Sequence, residues 1–172
     1  VSCSGVCAEI GNTGGVSATH VILRRCELMN SVSHGLTILC GGSGNSSDYC
    51  EVLACRVHNN GSTSSSIGIN IESSHNVVDG NTIYDNFTSG IQVFRSSGIA
   101  GVACTANVIR NNRVYANCVG NSGSGIFITT GADNEVYNNL SYLNGVANVK
   151  TGRGIRLDTS ATGTLVYNNT CH

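Results

Sequence analysis

Two phrases alternate along this chain, one rich in asparagine and one built on glycine and isoleucine. "NNRVYAN" at 111–117 is followed by "GSGIFI" at 123–128, then by "NNLSYLN" at 138–144 and "GRGIRL" at 152–157. A repeat limits the fold more than any composition does, because equivalent residues must find equivalent surroundings. Aligned on the residue that opens the short strand, the copies stand at Cys26, Cys55, Asn81, Asn112, Asn139 and Asn169, in steps of 26 to 31 residues. Three positions earlier each copy is apolar: Leu23, Val52, Val78, Ile109, Val136, Val166. Two positions later come Leu28, Val57, Ile83, Val114, Ser141 and Cys171; five later, Ser31, Asn60, Asn86, Asn117 and Asn144. The second phrase aligns on Gly5, Gly35, Gly68, Gly90, Gly125 and Gly154, each followed by an apolar residue.

Alternate residues are apolar over three to five positions, the pattern of a short strand with one buried face, and no stretch holds a 3.6-residue period. Short strands without helices between them predict an all-β coiled solenoid. Like residues then lie over like residues about 4.8 Å apart. The phrases are fixed because they stack; the gaps vary because they are loops leaving the coil. Asn81, Asn112, Asn139 and Asn169 form an expected ladder, in which each amide meets the amides above and below and satisfies the backbone of a tight bend.

The motif "NxVYxN…GIxI" resembles that of the right-handed parallel β-helix repeat family, which includes pectate-lyase-like proteins, NosD-type periplasmic repeats and phage tailspikes. The resemblance runs from Gly5 to His172. It implies a right-handed single-stranded parallel β-helix of about six turns with Asn ladders. It implies no particular function, since the motif records stacking alone. Residues 1–172 read as a single β-helix domain, whole or a segment of a longer solenoid. The opening "VSCSGVC" has no initiator Met and lies inside the pattern, as in a processed chain or a piece of a longer one.

Nine cysteines suit an extracellular or cell-surface, secreted protein, and the odd count leaves one thiol unpaired or shared between chains. Cys26 and Cys55 hold the ladder position in adjacent turns, within disulfide reach; a bridge and a buried thiol stack both fit. Cys40 and Cys50 flank the loop "GGSGNSSDY" and are placed to close it. Cys3 with Cys7, and Cys104 with Cys118, are further pairings. Cys50, Cys55 and His58 match no tight zinc knuckle, so no metal site is expected. A net charge of −1 offers nothing to nucleic acid, and no apolar run approaches a membrane span.

Family members that act on polysaccharides use an outward strand face. One outward column reads Cys7, Thr37, Asn70, Gln92, Phe127, Arg156; the next reads Glu9, Leu39, Glu72, Phe94, Thr129, Asp158; on another strand it reads Met29, His58, Tyr84, Tyr115, Tyr142, His172. A lyase wants clustered carboxylates for calcium and a basic residue. Glu72 and Asp158 lie three turns apart, roughly 14 Å. Arg153, Arg156 and Asp158 form the one local acid–base grouping, and a plain surface ion pair explains it as well. A hydrolase wants two facing carboxyls, which no adjacent turns supply. Asp133 and Glu135 flank a turn. "SHGL" at 33–36 is similar to the His-Gly of polygalacturonases, but their paired Asp motifs are missing, as is the "DPHE" of alginate epimerases. No catalytic constellation emerges, and no cofactor is expected beyond Ca2+ if the chain is lyase-like. A copper role of the NosD type lacks a Met/His cluster.

Tyr84, Tyr115 and Tyr142, with Phe94 and Phe127 on the other face, are candidate sugar-contacting residues; stacking that only stabilises the solenoid is the competing reading. Of the Asn-X-Ser/Thr sites at Asn45, Asn60, Asn86, Asn139 and Asn168, Asn60, Asn86 and Asn139 fall in ladder columns and should be buried; Asn45, in a loop, is the one candidate for glycosylation. The ends show no evident cap, neither helix nor polar plug. Open solenoid ends invite another chain. The leading expectation is therefore a secreted structural module stacking head to tail on copies of itself into an extracellular filament or stalk. A polysaccharide-binding or polysaccharide-degrading protein is the alternative.

Overall fold

The computed structural model describes residues 4–11, 16–40, 46–95, 103–145 and 152–172. The chain winds through six coils of three strands. They are β1 Ala8–Ile10, β2 Ile22–Arg24 and β3 Glu27–Met29; β4 Leu36–Ile38, β5 Glu51–Leu53 and β6 Arg56–His58; β7 Ile69–Ile71, β8 Val77–Asp79 and β9 Thr82–Tyr84; β10 Ile91–Val93, β11 Val108–Arg110 and β12 Arg113–Tyr115; β13 Gly123–Ala132, β14 Glu135–Tyr137 and β15 Leu140–Tyr142; β16 Gly152–Thr162, β17 Leu165–Tyr167 and β18 Thr170–Cys171. Each strand pairs in parallel with its counterpart one coil on, giving three six-stranded sheets begun by β1, β2 and β3. Six strands make five stacking steps. The described residues include no helix.

The core is a set of aliphatic rows. In the β1 sheet the two ends of each strand point inward: Leu36 and Ile38, Ile69 and Ile71, Ile91 and Val93, Ile126 and Ile128 are all fully buried. In the other two sheets the middle residue points inward, as with Val52, Val78, Ile109 and Val136, and with Val57, Ile83 and Val114. Each such burial contributes about 1.5–3 kcal/mol.

Every corner uses one residue in the left-handed region. Fifteen non-glycine residues with φ between 52° and 60° each stand directly before a column residue; Arg25, Asn111 and Asn138 precede Cys26, Asn112 and Asn139, for example. Asparagine tolerates that backbone better than most residues, which explains the doubled "NN". The ladder residue that follows satisfies the bend. Asn81 Nδ2 donates to Asn112 Oδ1 at 3.0 Å, Asn112 to Asn139 at 3.0 Å and Asn139 to Asn169 at 2.9 Å. A second ladder joins Asn60, Asn86, Asn117 and Asn144 at 2.9–3.1 Å. A third, which the two sequence phrases do not reveal, joins Asn76, Asn107 and Asn134 at 3.1 Å.

The structure corrects the first coil. Ala8 pairs with Leu36 and Glu9 with Thr37, so Gly5 does not begin the glycine column and Cys7 does not head the outward one. A shift of two residues keeps every side chain on its own face, so hydropathy alone cannot detect it.

Of the two readings of Cys26 and Cys55 the structure has thiols and no bridge, and the expected Cys40–Cys50 bridge does not form. Cys26, Cys50 and Cys55 are thiols. Cys55 Sγ donates to Leu23 O at 3.5 Å, the place taken one coil up by Asn81 Nδ2 on Val52 O at 2.9 Å. Cys50 Sγ likewise donates to Ala18 O at 3.2 Å, at the foot of the third ladder. The sulfurs replace ladder amides, aimed at carbonyls rather than at one another. Cys104 and Cys118 are also thiols, and burial pushes both up to about 12. Cys3 and Asn45 lie outside the described residues.

Candidate functional site

The outward face of the β1 sheet carries Glu9, Thr37, Asn70, Gln92, Phe127 and Arg156 in register. Outward residues here are not all solvent-exposed. Thr37, Asn70 and Glu72 are 3%, 2% and 8% exposed. One bordering loop is longer than those beside it, and its Ser64 and Ser65 bound a cavity with Asn70 and Glu72. Seven residues separate Asn60 from Gly68, whereas three separate Ser31 from Gly35 and Asn86 from Gly90. The longer loop stands out between two short ones and walls the face.

Behind that wall lies a cavity of about 310 Å³ bounded by His34, Ser64, Ser65, Ile67, Asn70, Glu72, Thr88, Gln92 and Phe94. Asn70 Nδ2 donates to Glu72 Oε1 at 2.8 Å. Asn70 Oδ1 and Thr37 Oγ1 are buried with no hydrogen-bond partner. Such an atom costs about 1–3 kcal/mol, so a stacked fold keeps one only where something else compensates. His34 Nδ1 accepts the Ile67 N–H at 3.0 Å, and burial lowers the pKa of its imidazole from the ordinary 6.5. A neutral His34 ring with Nδ1 as acceptor carries its proton on Nε2. Glu72 is the one carboxylate among the lining residues, which include no Lys or Arg.

The sequence-derived candidates fall in two other places. Arg156 and Asp158 meet at 3.5 Å on β16, both exposed by more than a third, and the Arg156 guanidinium lies over the Phe127 ring at 4.3 Å. Asp158 and Thr159 together stand opposite Thr129 in a bulge. Arg153 is exposed at the start of the same strand. This is a surface ion pair with a cation–π contact, and among the described residues no second acid pairs with it.

The tyrosine row on the β3 sheet is stacked ring on ring. His58–Tyr84, Tyr84–Tyr115 and Tyr115–Tyr142 have centroids 4.6, 5.1 and 5.0 Å apart and planes within 10°. Ring faces are therefore covered by neighbouring rings, and the row presents edges and hydroxyls. The hydroxyls accept from Arg56 at 3.1 Å and from Arg113 at 2.8 Å. The His58 hydrogen bond, followed by the Arg56 charge, holds the Glu27 carboxyl below its ordinary range. Between stacked neighbours the faces of Tyr84 and Tyr115 are taken by other rings; Phe94, at the cavity, is not part of this row. A second stack, His20–Tyr49–His75 at 5.3 and 4.8 Å, runs up the corner before the third ladder.

His34, Asn70, Glu72, Gln92 and Phe94 thus come together from three coils. The sequence places all but His34 in outward columns without marking them as a site. The missed signal is the long loop at 61–67, whose Ser64, Ser65 and Ile67 line the cavity. Among the described residues, no group of three or more His, Cys, Asp or Glu side chains could hold a metal ion. No helix of the described residues is long and apolar enough to cross a membrane.

Fold and face define a parallel β-solenoid with one polar groove along a sheet. The chain belongs to the right-handed β-helix region family, whose model matches residues 2–171. Among solved structures, the periplasmic alginate epimerase AlgG matches with a TM-score of 0.51 and 18% identity, over 90% of this chain. At that identity the likeness is one of fold, and this chain spans 44% of the epimerase's length. No curated protein matches the chain in sequence.

Proposed function

We propose that this β-helix binds polysaccharide in the groove of the β1 sheet, outside the cytoplasm. The observation that carries the reading is the unpartnered buried Asn70 Oδ1 beside a cavity lined by hydroxyls, amides, a carboxylate and one aromatic ring. Sugars are recognised by that mixture: hydroxyls take the polar groups, and the apolar ring face lies on an aromatic. The structural neighbour AlgG is a periplasmic alginate epimerase, which fits a glycan partner in the cell envelope. A single lining carboxylate does not make the acid–base pair of a glycosidase, so the reading is binding rather than cleavage. Affinity electrophoresis over a panel of soluble polysaccharides tests this. At least one should retard the protein, and Phe94→Ala should weaken retardation about tenfold. A chain that no polysaccharide slows would refute it.

A second reading, end-to-end stacking into a filament or stalk, is favoured by one observation. Leu157 and Val166 on the last coil are 43% and 42% exposed, beside a cleft of about 410 Å³ that they share with Ile155 and Cys171. Either further coils or the first coil of another copy would cover them, and the native assembly state separates the two.

A further inference from the structure

We infer that Asn144–Gly145 is a site of spontaneous deamidation, and that its product loosens the last coil. An asparagine side chain is most open to attack by the next backbone nitrogen when that next residue is glycine, which puts no side chain in the way. Asn-Gly occurs twice in this chain, at Asn60–Gly61 and Asn144–Gly145. Both asparagines stand in the second ladder, where the other copies follow the column residue with Val32, Phe87 and Cys118. Both glycines hold a positive φ, 98° and 83°. Nothing in this inference depends on the polysaccharide reading.

The step balances with water alone. Gly145 N attacks Asn144 Cγ, the Cγ–Nδ2 bond breaks, and ammonia leaves with the proton of the Gly145 N–H. A cyclic imide remains. Water opens it at one carbonyl to give aspartate, or at the other to give isoaspartate, whose main chain runs through Cβ and Cγ.

An intact ladder opposes the attack. Gly61 N donates to Ser31 O and Gly145 N to Asn117 O, both at 2.8 Å, so the corner must open before either nitrogen is free. The two corners differ in what holds them shut. Asn60 is 1% exposed and tied to the coils on both sides. Its Nδ2 donates to Leu28 O below and to Asn86 Oδ1 above, both at 3.0 Å, and its carbonyl accepts the Phe87 N–H from above at 2.9 Å. Asn144 is half-buried. Its Nδ2 donates to Val114 O below at 3.2 Å and, in place of a ladder amide above, to Ser141 Oγ of its own coil at 3.0 Å. Local opening is therefore easier at Asn144.

The product weakens what the corner holds. Aspartate at 144 still accepts from Asn117 N and Nδ2, both now at 3.1 Å, but has no N–H for Val114 O. Isoaspartate lengthens the main chain where it leaves for β16. The neighbouring Leu143 N–H donates to His172 O at 3.1 Å, so the disturbance reaches the end of the last coil directly.

Peptide mass mapping of the folded protein, held at mildly alkaline pH, tests this. Asn144 should gain one mass unit at least about tenfold faster than Asn60. In urea the two sites should convert within about threefold of one another, because the ladder no longer shields either. In the converted fraction the amides of Leu143 and of β18 should exchange hydrogen about tenfold faster than in the unconverted one. Val166→Glu, measured alongside, keeps Asn144 uncovered if copies stack end to end. Absence of conversion at Asn144 in both chains, over the time in which the unfolded chain converts, overturns the inference. So do equal folded-state rates at the two sites, a ratio that persists in urea, or conversion that leaves exchange in the last coil unchanged.

Discussion

Asn112 shows why the ladders tolerate no gap. Its Oδ1 accepts both the backbone N–H and the side-chain amide of Asn81, at 2.9 and 3.0 Å. Its Nδ2 donates to Val78 O at 2.9 Å and to Asn139 Oδ1 at 3.0 Å. Truncation would strand buried groups on three residues at once. Asn112→Ala should therefore lose about 3 kcal/mol of stability in urea unfolding, against about 1 kcal/mol for Asn169→Ala, which is less buried and ends its ladder. The cysteines at ladder feet are weaker copies of the same device. Cys104 and Cys118 are a different case: fully buried and pushed up to about 12, they should resist iodoacetamide at pH 8 in the native state, while exposed Cys171 reacts. His34 ties stability to pH. Its folded pKa lies below the unfolded 6.5, so the unfolded chain binds the extra proton first. Stability is full above about 6.5 and falls as pH drops through that value toward the folded pKa. His34→Gln should flatten this limb of a melting-temperature profile.

The stacked rings of β6, β9, β12 and β15 hold one sheet in register. Each ring pair contributes about 0.5–1.5 kcal/mol beyond burial. Tyr115 sits in two pairs, at 5.1 and 5.0 Å, so Tyr115→Leu should lower stability by about 1–2 kcal/mol in chemical denaturation and leave glycan retardation unchanged. Loss of retardation in that variant would move the sugar site to the tyrosine face. The sequence made these rows legible because a parallel register puts identical columns in contact; Val52 over Val78 over Ile109 needs only counting. It left the third ladder hidden, because Asn76, Asn107 and Asn134 fall between the two recurring phrases. It mislaid β1 by two residues, because parity is all that hydropathy reports. The groove was legible only in parts. The columns gave Asn70, Glu72, Gln92 and Phe94, but whether an outward residue is buried depends on what a loop does. Spacing records the length of the loop at 61–67 and not the direction in which it folds.

A solenoid has only nearest-neighbour contacts, so its stability is a sum of coils and of the interfaces between them. The last interface is where the two functional readings diverge. Ile128 and Val136 are fully buried by the coil above, whereas Leu157 and Val166, one coil on in the same rows, are 43% and 42% exposed. Exposed rows of this kind, edged by unpaired strand backbone, favour adding another coil. If copies supply it, the contact is head to tail and does not close on itself, so mass grows with concentration. Light scattering on the native protein should then give masses well above the 17.8 kDa of one chain, rising on concentration. Val166→Glu places a charge in the middle of that contact, where burial without a partner is most unfavourable. It should return the mass to 17.8 kDa while glycan retardation persists, because β4, β7 and β10, which build the groove, lie at least two coils below. A concentration-independent mass of one chain before the substitution would reject end-to-end stacking and leave the groove reading standing.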